Sequence, residues 1–449
     1  MPAERINRIM IAGTNSGCGK TTVTCAVLKA LINQGNKVAS FKCGPDYIDP
    51  MFHSRIIGAH ARNIDLFLCG EQPARYLFAE NSREAKLSVV EGVMGFYDGM
   101  GGRTSENSSY DISERFDIPV VLVVSCKGAA LSVVAMIKGY LDFHPNKIKA
   151  VILNHVSKAM YPVYREIIEE YLKIRVLGFL PQIPEAVFES RHLGLVTAAE
   201  LNTLQEKIEL LAKSAAENID LKGLLALSEE TEPFSYEKIE VSPIADVNIA
   251  VAKDRAFCFY YEDSLNLLRQ LGANLIPFSP IEDKNLPQGI DGCILGGGYP
   301  ELYLNQLGSN LSMRQSILHS YENGLPIYAE CGGYMYLGEE IMEEPMVGVI
   351  PMRSVLTDKL QNFGYVTLQT RKDNYLFDRK EPVRAHEFHY SVCDNTEHAL
   401  TVVKSSTRSW VGGYSDKNLF ALYPHIHLWG NIDMAKRFIK KCEEKASSH

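Results

Sequence analysis

The stretch Arg8–Asn33 reads RIMIAGTNSGCGKTTVTCAVLKALIN and decides the fold of the N-terminal half. An apolar strand at Arg8–Gly13 runs into a glycine-rich loop, and an amphipathic helix over Gly19–Asn33 follows. In this arrangement backbone N–H groups cradle phosphate, and the helix N-terminus adds positive potential. The spacing is a variant of G-x-x-x-x-G-K-[ST], since Gly13 lies one position further from Gly19. The stretch predicts a nucleotide-binding P-loop.

Two side chains at the end of the loop have predictable partners on a bound nucleotide. Lys20 is expected to reach the β- and γ-phosphates of ATP, and the Thr21 hydroxyl is expected to bind Mg²⁺. Seven loop residues are predicted to bind the nucleotide: Gly13, Thr14, Gly17, Gly19, Lys20, Thr21 and Thr22.

Strand and helix signals alternate through the rest of this half. Short apolar strands are predicted at Lys37–Lys42, Leu87–Glu91, Pro119–Cys126 and Ala150–Asn154, with helices between them. Continuous apolar strands between helices predict a doubly wound parallel α/β sheet that helices cover on both faces.

Charged residues follow the ends of two of these strands. Lys42 and Asp46 lie in FKCGPDYIDP, and Glu91 opens EGVMGFYDG. Ligands of open α/β sheets bind at the carboxyl ends of the strands, so Lys42 is predicted to contact the nucleotide. Carboxylates beside one phosphate site repel each other unless a cation bridges them. Thr21, Asp46 and Glu91 are therefore the predicted Mg²⁺ ligands.

The length of 449 residues predicts two or three domains. Residues 224–246 are acidic, contain two prolines and lack periodicity, which is typical of a linker. We predict one α/β domain at residues 1–223 and a second at residues 247–449. The βα rhythm restarts at Val247–Ala252, and the pattern becomes β-rich after about Gly348.

A second informative stretch is PIYAECGGYMYLG at Pro326–Gly338. A short strand runs into Cys331, two glycines follow and a helix begins, which is the layout of a nucleophile elbow. The N-terminus of the helix favours the thiolate, which is the nucleophilic form of cysteine. The alternative is a buried structural cysteine in a turn, for which a glycine pair is unusual.

A cysteine nucleophile needs a base, and two histidines near the C-terminus are candidates. His425 and His427 in ALYPHIHLW alternate along a predicted strand and would face one side. We predict His425 as the base and His427 as the residue that orients it. The histidines of HEFHYS, His386 and His389, are predicted to be structural or adjacent to substrate.

A glycine run that includes Gly297 and Gly298 ends another predicted strand. Exposed backbone N–H groups there are candidates for an oxyanion hole, which stabilises the tetrahedral intermediate of acyl transfer. A flexible loop is the equal alternative for this segment.

The composition excludes several classes of protein. Apolar residues make up 46% and charged residues 22%, and the net charge of −8 argues against a nucleic-acid partner. The longest apolar stretch is too short to span a bilayer, the N-terminus lacks a signal-peptide pattern, and the 10 cysteines form no CxxC pair. We expect a cytoplasmic enzyme with small-molecule partners and no membrane association.

Together these motifs resemble the cobyrinic acid a,c-diamide synthase family over nearly the full chain. The resemblance is carried by GTNSGCGKTT, FKCGPDYIDP, VVEGVMGFYDG, AVAKDRAFCFYY, LGGGYPELY, AECGGYMYLGE and HEFHYS. It implies a dethiobiotin-synthetase-like ATPase domain followed by a class I glutamine amidotransferase domain. It also implies ATP, Mg²⁺, glutamine and a corrinoid tetrapyrrole as ligands, with amidation of two acetate side chains, a and c, in cobalamin biosynthesis.

The resemblance implies roles for individual residues as well. Asn154, at a strand end, matches a position that reads adenine. Cys331 matches the glutaminase nucleophile, and His425 matches its histidine. Class I glutaminases carry a glutamate two residues after that histidine, where this chain has His427, so the third member of the triad is open.

Other functions remain open at this point. A Ni-sirohydrochlorin a,c-diamide synthase would share these motifs and differ in its macrocycle. A ParA/MinD-type ATPase switch carries a second lysine early in its P-loop, where this chain has Thr14, Asn15 and Ser16. That class also leaves the C-terminal half unexplained. The oligomeric state is open, with a homodimer among the alternatives.

Overall fold

The computed structural model describes residues 3–186, 198–379, 381–395, 397–405 and 407–447. The chain divides into two compact units. The first comprises Met1–Leu66 and Glu71–Lys238, and the second comprises Phe67–Gly70 and Ile239–His449. The change of unit after Lys238 falls inside the segment 224–246 that the sequence predicts as a linker, and a helix still occupies the first residues of that segment.

The first unit contains nine strands in its described part. They are β1 (Ala3–Glu4), β2 (Arg8–Gly13), β3 (Val38–Cys43), β4 (His60–Ile64), β5 (Leu87–Glu91), β6 (Val120–Ser125), β7 (Ile148–Asn154), β8 (Arg175–Leu180) and β9 (Phe234–Ser235). Seven of them form one parallel sheet in the order β4-β3-β5-β2-β6-β7-β8. Strands such as β6, VVLVVS, are buried because an apolar run can face helices on both sides.

Helices flank this sheet. They are α1 (Lys20–Asn33), α2 (Ile48–Phe52), α4 (Glu71–Ser82), α5 (Ser109–Arg115), α6 (Ser132–Asp142), α7 (Tyr161–Leu172), α8 (Ala198–Asn218) and α9 (Leu221–Glu229), whereas most of the short helix α3 (Leu66–Cys69) belongs to the second unit. The apolar face of α1 packs against α8 through side chains that include Val27, Leu31, Ile208 and Leu211. This packing fixes the helix whose first turn follows the P-loop.

The second unit has a central six-stranded sheet and several smaller ones. Its strands up to the β-rich region are β10 (Val247–Ala252), β11 (Phe257–Phe259), β12 (Ala273–Phe278), β13 (Gly292–Leu295), β14 (Gly297–Gly298), β15 (Ile327–Glu330), β16 (Glu340–Ile341) and β17 (Glu344–Pro345). The later strands are β18 (Arg353–Leu356), β19 (Phe363–Thr370), β20 (Val383–Phe388), β21 (Ser391–Cys393), β22 (Leu400–Ser405), β23 (Arg408–Gly412), β24 (Tyr414–Ser415), β25 (Leu419–Leu422) and β26 (His425–Ile426).

The central sheet of this unit has the order β12-β10-β13-β15-β25-β24, and only its edge strand β24 is antiparallel. The β-rich region adds a four-stranded sheet, β17-β16-β18-β21, and a five-stranded antiparallel sheet, β23-β22-β19-β20-β26. The helices are α10 (Glu262–Gln270), α11 (Leu304–Ser309), α12 (Leu311–Glu322), α13 (Gly332–Tyr336) and α14 (Ile432–Ala446).

The predicted fold class is confirmed. The chain forms two α/β units, and the first is built on a parallel sheet in which β2 leads into the P-loop. Within the described ranges, no helix combines the length and the apolar character that crossing a bilayer requires.

Candidate functional site

The P-loop lies between β2 and α1, where the sequence predicts it. Gly17 and Gly19 have φ angles of 83° and 89°, in the left-handed region that favours glycine. A Cβ on Gly19 would also lie 1.8 Å from Nδ2 of Asn154. That amide nitrogen donates to the carbonyl oxygen of Cys18 at 2.9 Å, so the end of β7 supports the loop. The adenine contact of Asn154 stays a prediction.

The other predicted loop residues lie at the two ends of the loop. Gly13 ends β2, and a Cβ there would meet Sγ of Cys18 at 2.5 Å. Thr14 is buried, and its hydroxyl donates to Oδ1 of Asn15 at 3.0 Å. Thr22 is half-buried in the first turn of α1. The close approach at Gly13 explains why the loop begins with glycine.

Charged and polar side chains meet beside the first turn of α1. Thr21 Oγ1 donates to Glu91 Oε1 at 2.6 Å, and Lys42 Nζ donates to the same oxygen at 2.8 Å. Lys20 Nζ donates to the carbonyl oxygen of Met94 at 3.3 Å. Strands β3 and β5 are parallel neighbours in which Lys42 pairs with Glu91, so the sheet itself brings these two residues together.

Burial and neighbouring charges shift the pKa values of this cluster. Burial opposes the charge on Lys42, but Glu91 and Asp49 outweigh it and hold the Lys42 pKa well above its usual value. Burial also opposes ionisation of Glu91, but Lys42 and His53 hold its pKa well below the usual range. Burial, followed by the Lys42 ammonium, lowers the pKa of Lys20. Lys42 and Glu91 are therefore both charged at neutral pH.

The two aspartates of FKCGPDYIDP have different surroundings. Asp46 Oδ1 accepts hydrogen bonds from the backbone N–H groups of Ile48 and Asp49 at 2.8 and 3.1 Å. Asp49 Oδ2 forms an ion pair with Lys42 Nζ at 2.5 Å. Burial, and then the nearby Asp46, raises the pKa of Asp49 to about 6. Asp46 thus stabilises the first turn of α2, and its role as a metal ligand stays a prediction.

One residue of this cluster, His53, was not predicted from the sequence. It is fully buried, with Nε2 at 3.3 Å from Glu91 Oε2 and Nδ1 at 2.8 Å from Ser40 Oγ. It begins a π-helical segment, His53–Ile57, directly after α2. The only signal in the sequence is a polar ring within the mainly apolar stretch MFHSRII, which does not point to Glu91.

The oxygen atoms of Thr21 and Glu91 fit a Mg²⁺ ion. Mg²⁺ binds through a few protein oxygens and keeps phosphate and water as its other ligands. The two side chains already lie 2.6 Å apart. Oε2 of Glu91 is buried, with Nε2 of His53 at 3.3 Å. These oxygens are hard donors of the kind that this ion prefers.

Cys331 lies in a sharp turn between β15 and α13. Its φ and ψ angles are 47° and −104°, which is strained for a residue with a Cβ. Its N–H donates to the carbonyl oxygen of Leu422 at 2.8 Å, and its own carbonyl oxygen accepts from the N–H of Met335 at 3.0 Å. Sheet pairing before the cysteine and helix bonding after it hold this turn, as in a nucleophile elbow.

The predicted glycines lie directly beside the cysteine. A Cβ on Gly297 would be 2.4 Å from Cε1 of His425 and 3.4 Å from Cβ of Cys331. A Cβ on Gly332 would be 3.3 Å from the backbone nitrogen of Gly298. The backbone nitrogen of Gly298 therefore lies beside the residue that directly follows the nucleophile. This arrangement is suited to an oxyanion hole.

His425 reaches Cys331 because two parallel strands end side by side. Strand β25 pairs with β15, with Leu422 opposite Glu330, and His425 follows three residues later on β26. Its Nδ1 lies 3.1 Å from Oε2 of Glu330, and a further hydrogen bond joins the ring to Cys331. Burial opposes the charge on the ring, but the bonds to Cys331 and Glu330 outweigh it and raise the pKa of His425 to about 10.

The structure differs from the sequence-based expectation at His427. Strand β26 ends at Ile426, and His427 follows it with extended backbone angles but outside the sheet pairing. Its ring centroid lies 4.7 Å from that of Tyr261, and its Nδ1 has no hydrogen-bond partner among the described residues. Burial lowers the pKa of His427 to about 3. The group that contacts Nδ1 of His425 is Glu330, which the sequence analysis did not single out.

The histidines of HEFHYS are both close to this region. His386 pairs with His425 across β20 and β26, and burial, followed by the charge of His425, lowers its pKa to about 3. His389 Nε2 lies 2.7 Å from Oε1 of Glu387, and its ring stacks on Tyr423 with centroids 4.0 Å apart. Neither ring is bonded to Cys331 in the described contacts, so neither takes the place of His425.

Comparisons with known proteins match each half of the chain to a family. Residues 9–193 match the CobQ/CobB/MinD/ParA nucleotide binding domain. Residues 248–432 match the CobB/CobQ-like glutamine amidotransferase domain. The first match contains the P-loop cluster, and the second contains Cys331, Gly297 and His425.

Curated relatives match both halves at once. A cobyrinate a,c-diamide synthase of Caldanaerobacter subterraneus subsp. tengcongensis is 41% identical over 443 residues, which cover 96% of this chain and 98% of the relative. A protein of the same name from Thermoplasma volcanium is 40% identical over 448 residues, with 98% of each chain covered. One from Clostridium acetobutylicum is 41% identical over 440 residues, covering 96% of this chain and 99% of the relative.

Proposed function

The chain belongs to the cobyrinate a,c-diamide synthase family, and on that premise we propose that it uses glutamine nitrogen and ATP to convert the a- and c-carboxylates of cobyrinic acid into amides. The observation that carries this proposal is the pairing, in one chain, of a P-loop cluster with a cysteine elbow. A carboxylate is a poor electrophile, so amide formation needs an activator, and ATP in the P-loop supplies it.

The second unit releases ammonia from glutamine. The Cys331 sulfur attacks the side-chain amide carbon, and the developing oxyanion faces the backbone N–H groups of Gly298 and Gly332. His425, which is protonated at neutral pH, gives a proton to the departing nitrogen as the C–N bond breaks. Water then hydrolyses the γ-glutamyl thioester to glutamate and restores the thiol. The close packing of Gly297 against both His425 and Cys331 supports the pairing of this nucleophile with this histidine.

The first unit activates the acceptor. A substrate carboxylate oxygen attacks the γ-phosphorus of ATP, ADP leaves, and an acyl phosphate forms. Ammonia then attacks the acyl carbon, phosphate leaves, and the amide remains. Lys20 and Lys42 stabilise the negative charge of the phosphates, and Thr21 and Glu91 would hold Mg²⁺, which neutralises charge on the phosphate oxygens. The cluster of two lysines, of which Lys42 is buried, and hard oxygens supports these roles.

Product mass tests the proposal directly. We would incubate the protein with Mg-ATP, glutamine and cobyrinic acid, and follow product mass with glutamate and phosphate release. Two successive decreases of about one mass unit, as expected for carboxyl-to-amide exchange, with one glutamate and one phosphate for each, are the expected result. Turnover of neither glutamine nor ATP with any tetrapyrrole would exclude the amidotransferase function.

The same assay separates the remaining alternatives. If glutamine and ATP are consumed but cobyrinic acid keeps its mass, Ni-sirohydrochlorin is the next macrocycle to test. Its amidation would identify a different substrate for the same reaction. ATP hydrolysis that is independent of any carboxylate and of ammonia would instead favour a nucleotide-dependent switch of the ParA/MinD type.

A further inference from the structure

The carboxylate of Glu330 lies in the centre of the glutaminase site, although it directly precedes the nucleophile in sequence. Glu330 ends β15, and its side chain is 10% exposed. A charged residue at the end of a buried strand needs partners, because burying an unpaired charge is strongly unfavourable. The identity of those partners indicates what the residue does.

Three donors contact this carboxylate. Oε2 lies 3.1 Å from Nδ1 of His425. Oε1 accepts a hydrogen bond from the backbone N–H of Ile426 at 2.9 Å and a second from the hydroxyl of Tyr328. Burial, followed by the charge of Glu330, raises the pKa of Tyr328, so its hydroxyl keeps its proton and remains a donor. Both oxygens of the carboxylate therefore have partners, and these contacts fix its position beside the imidazole of His425.

This contact fixes the orientation of the His425 ring. With the Nδ1 proton directed to Glu330, the ring atoms Cε1 and Nε2 lie beside Gly297, which also lies beside the Cβ of Cys331. A carboxylate on one ring nitrogen holds the proton of that nitrogen, so that the other ring nitrogen carries the proton that is transferred at the nucleophile. His427, at the position where class I glutaminases carry a glutamate, makes no such contact in the described structure.

We propose that Glu330 is the positioning carboxylate of the Cys331–His425 pair, supplied from the residue before the nucleophile instead of from the residue two places after the histidine. The inference rests on the proposed glutaminase function. Glu330 acts through His425: it touches neither the thiol nor the substrate in the mechanism, but it keeps the imidazolium oriented for proton transfer to the leaving nitrogen.

Substitution of Glu330 tests the proposal in the full-length protein. Glu330→Gln keeps the shape and removes the charge, and we expect the glutamine-driven kcat to fall by about 10²-fold or more, with little change in the KM for glutamine. Ammonia-driven amidation should persist at the wild-type rate, because it does not use Cys331. Glu322→Gln is the matched control: Glu322 is exposed on α12 in the same unit, and its substitution should leave both rates unchanged.

The pH profile distinguishes positioning from a merely structural role. In the wild type, the alkaline limb of kcat/KM for glutamine should follow loss of the proton from His425, whose pKa is raised to about 10. Loss of the Glu330 charge removes one support of the imidazolium, so the limb should move to lower pH in Glu330→Gln. Glu330→Asp keeps a charge but shortens the side chain, and it should lower kcat while leaving the limb closer to that of the wild type.

Two results would overturn the inference. One is a Glu330→Gln enzyme that retains glutamine-driven turnover while Cys331→Ala has lost it. The other is a fall in kcat with an unmoved alkaline limb in both Glu330 variants, which would assign the residue to packing. Retention of glutamine-driven activity by Cys331→Ala would instead refute the glutaminase mechanism itself, so the two failures can be told apart.

Discussion

At the scale of the residue, Cys331 separates the two half-reactions. We expect Cys331→Ala to abolish glutamine-driven amidation and to retain ammonia-driven amidation, because the thiol serves only the release of ammonia. Lys20→Ala should abolish both, because the phosphates of ATP lose the cation that the P-loop supplies. Product mass with glutamine and with ammonium chloride measures both rates. Glutamine-driven turnover in Cys331→Ala would contradict the assignment of the nucleophile.

Gly297 makes a second prediction at this scale. A methyl group on this residue would lie 2.4 Å from Cε1 of His425, so Gly297→Ala must displace the ring from Cys331. We expect glutamine-driven kcat to fall by about 10²-fold or more, as when a catalytic geometry is lost. Gly412→Ala, at the end of β23 in the same unit, meets no atom within 4 Å and is the control. Equal activity of the two variants would remove Gly297 from the site.

At the scale of the element, helix α6 contains a glycine that limits its stability. Gly139 is exposed in this helix, and an added Cβ would meet nothing within 4 Å. Gly139→Ala should therefore raise the free energy of unfolding of the first unit by about 1 kcal/mol. The reverse change at an exposed position of the same helix, Ala135→Gly, should lower it by a similar amount. The temperature at which ammonia-driven activity is lost measures both; a decrease with Gly139→Ala would contradict the prediction.

The elements also explain which parts of the site can be predicted from sequence. The P-loop and the elbow are local patterns, so Lys20 and Cys331 can be recognised from their immediate neighbours. Glu330 pairs with His425 across 95 residues, and only the parallel pairing of β15 with β25 brings them together. The expectation that His427 orients His425 rests on spacing alone, and spacing does not reveal that the His427 ring packs against Tyr261. A glutamate at the end of the apolar run PIYAE was the one available signal.

At the scale of the whole molecule, buried histidines make the stability of the second unit depend on pH. Burial lowers the pKa of His386 and His427 to about 3 from an ordinary 6.5, so their contribution is complete above pH 6.5 and is lost as pH falls toward 3. The pKa of His425 is raised to about 10, so its contribution is complete below pH 6.5 and is lost as pH rises through 10. We predict maximal stability of this unit near pH 6.5.

Tryptophan fluorescence can follow this unit alone, because both tryptophans of the chain, Trp410 and Trp429, belong to it. The urea midpoint of the fluorescence change should peak near pH 6.5 and decrease on both sides. In Glu330→Gln the alkaline decrease should be smaller. Without the Glu330 charge the pKa of His425 lies closer to its ordinary 6.5, so less stability is lost when His425 gives up its proton. A midpoint that is constant between pH 5 and 9 would refute the assigned protonation states.

The adjacency of Glu330 and Cys331 in the sequence has a consequence for how the gene can evolve. Nucleophile and carboxylate are encoded by consecutive codons, so recombination hardly ever separates them and they are inherited as one block. The histidine lies 95 residues beyond the glutamate, and the β-rich region fills most of the interval. A lineage can therefore exchange or enlarge that region, and with it whatever the region recognises, while the short segment from Leu422 to Ile426 continues to supply the partners of the block.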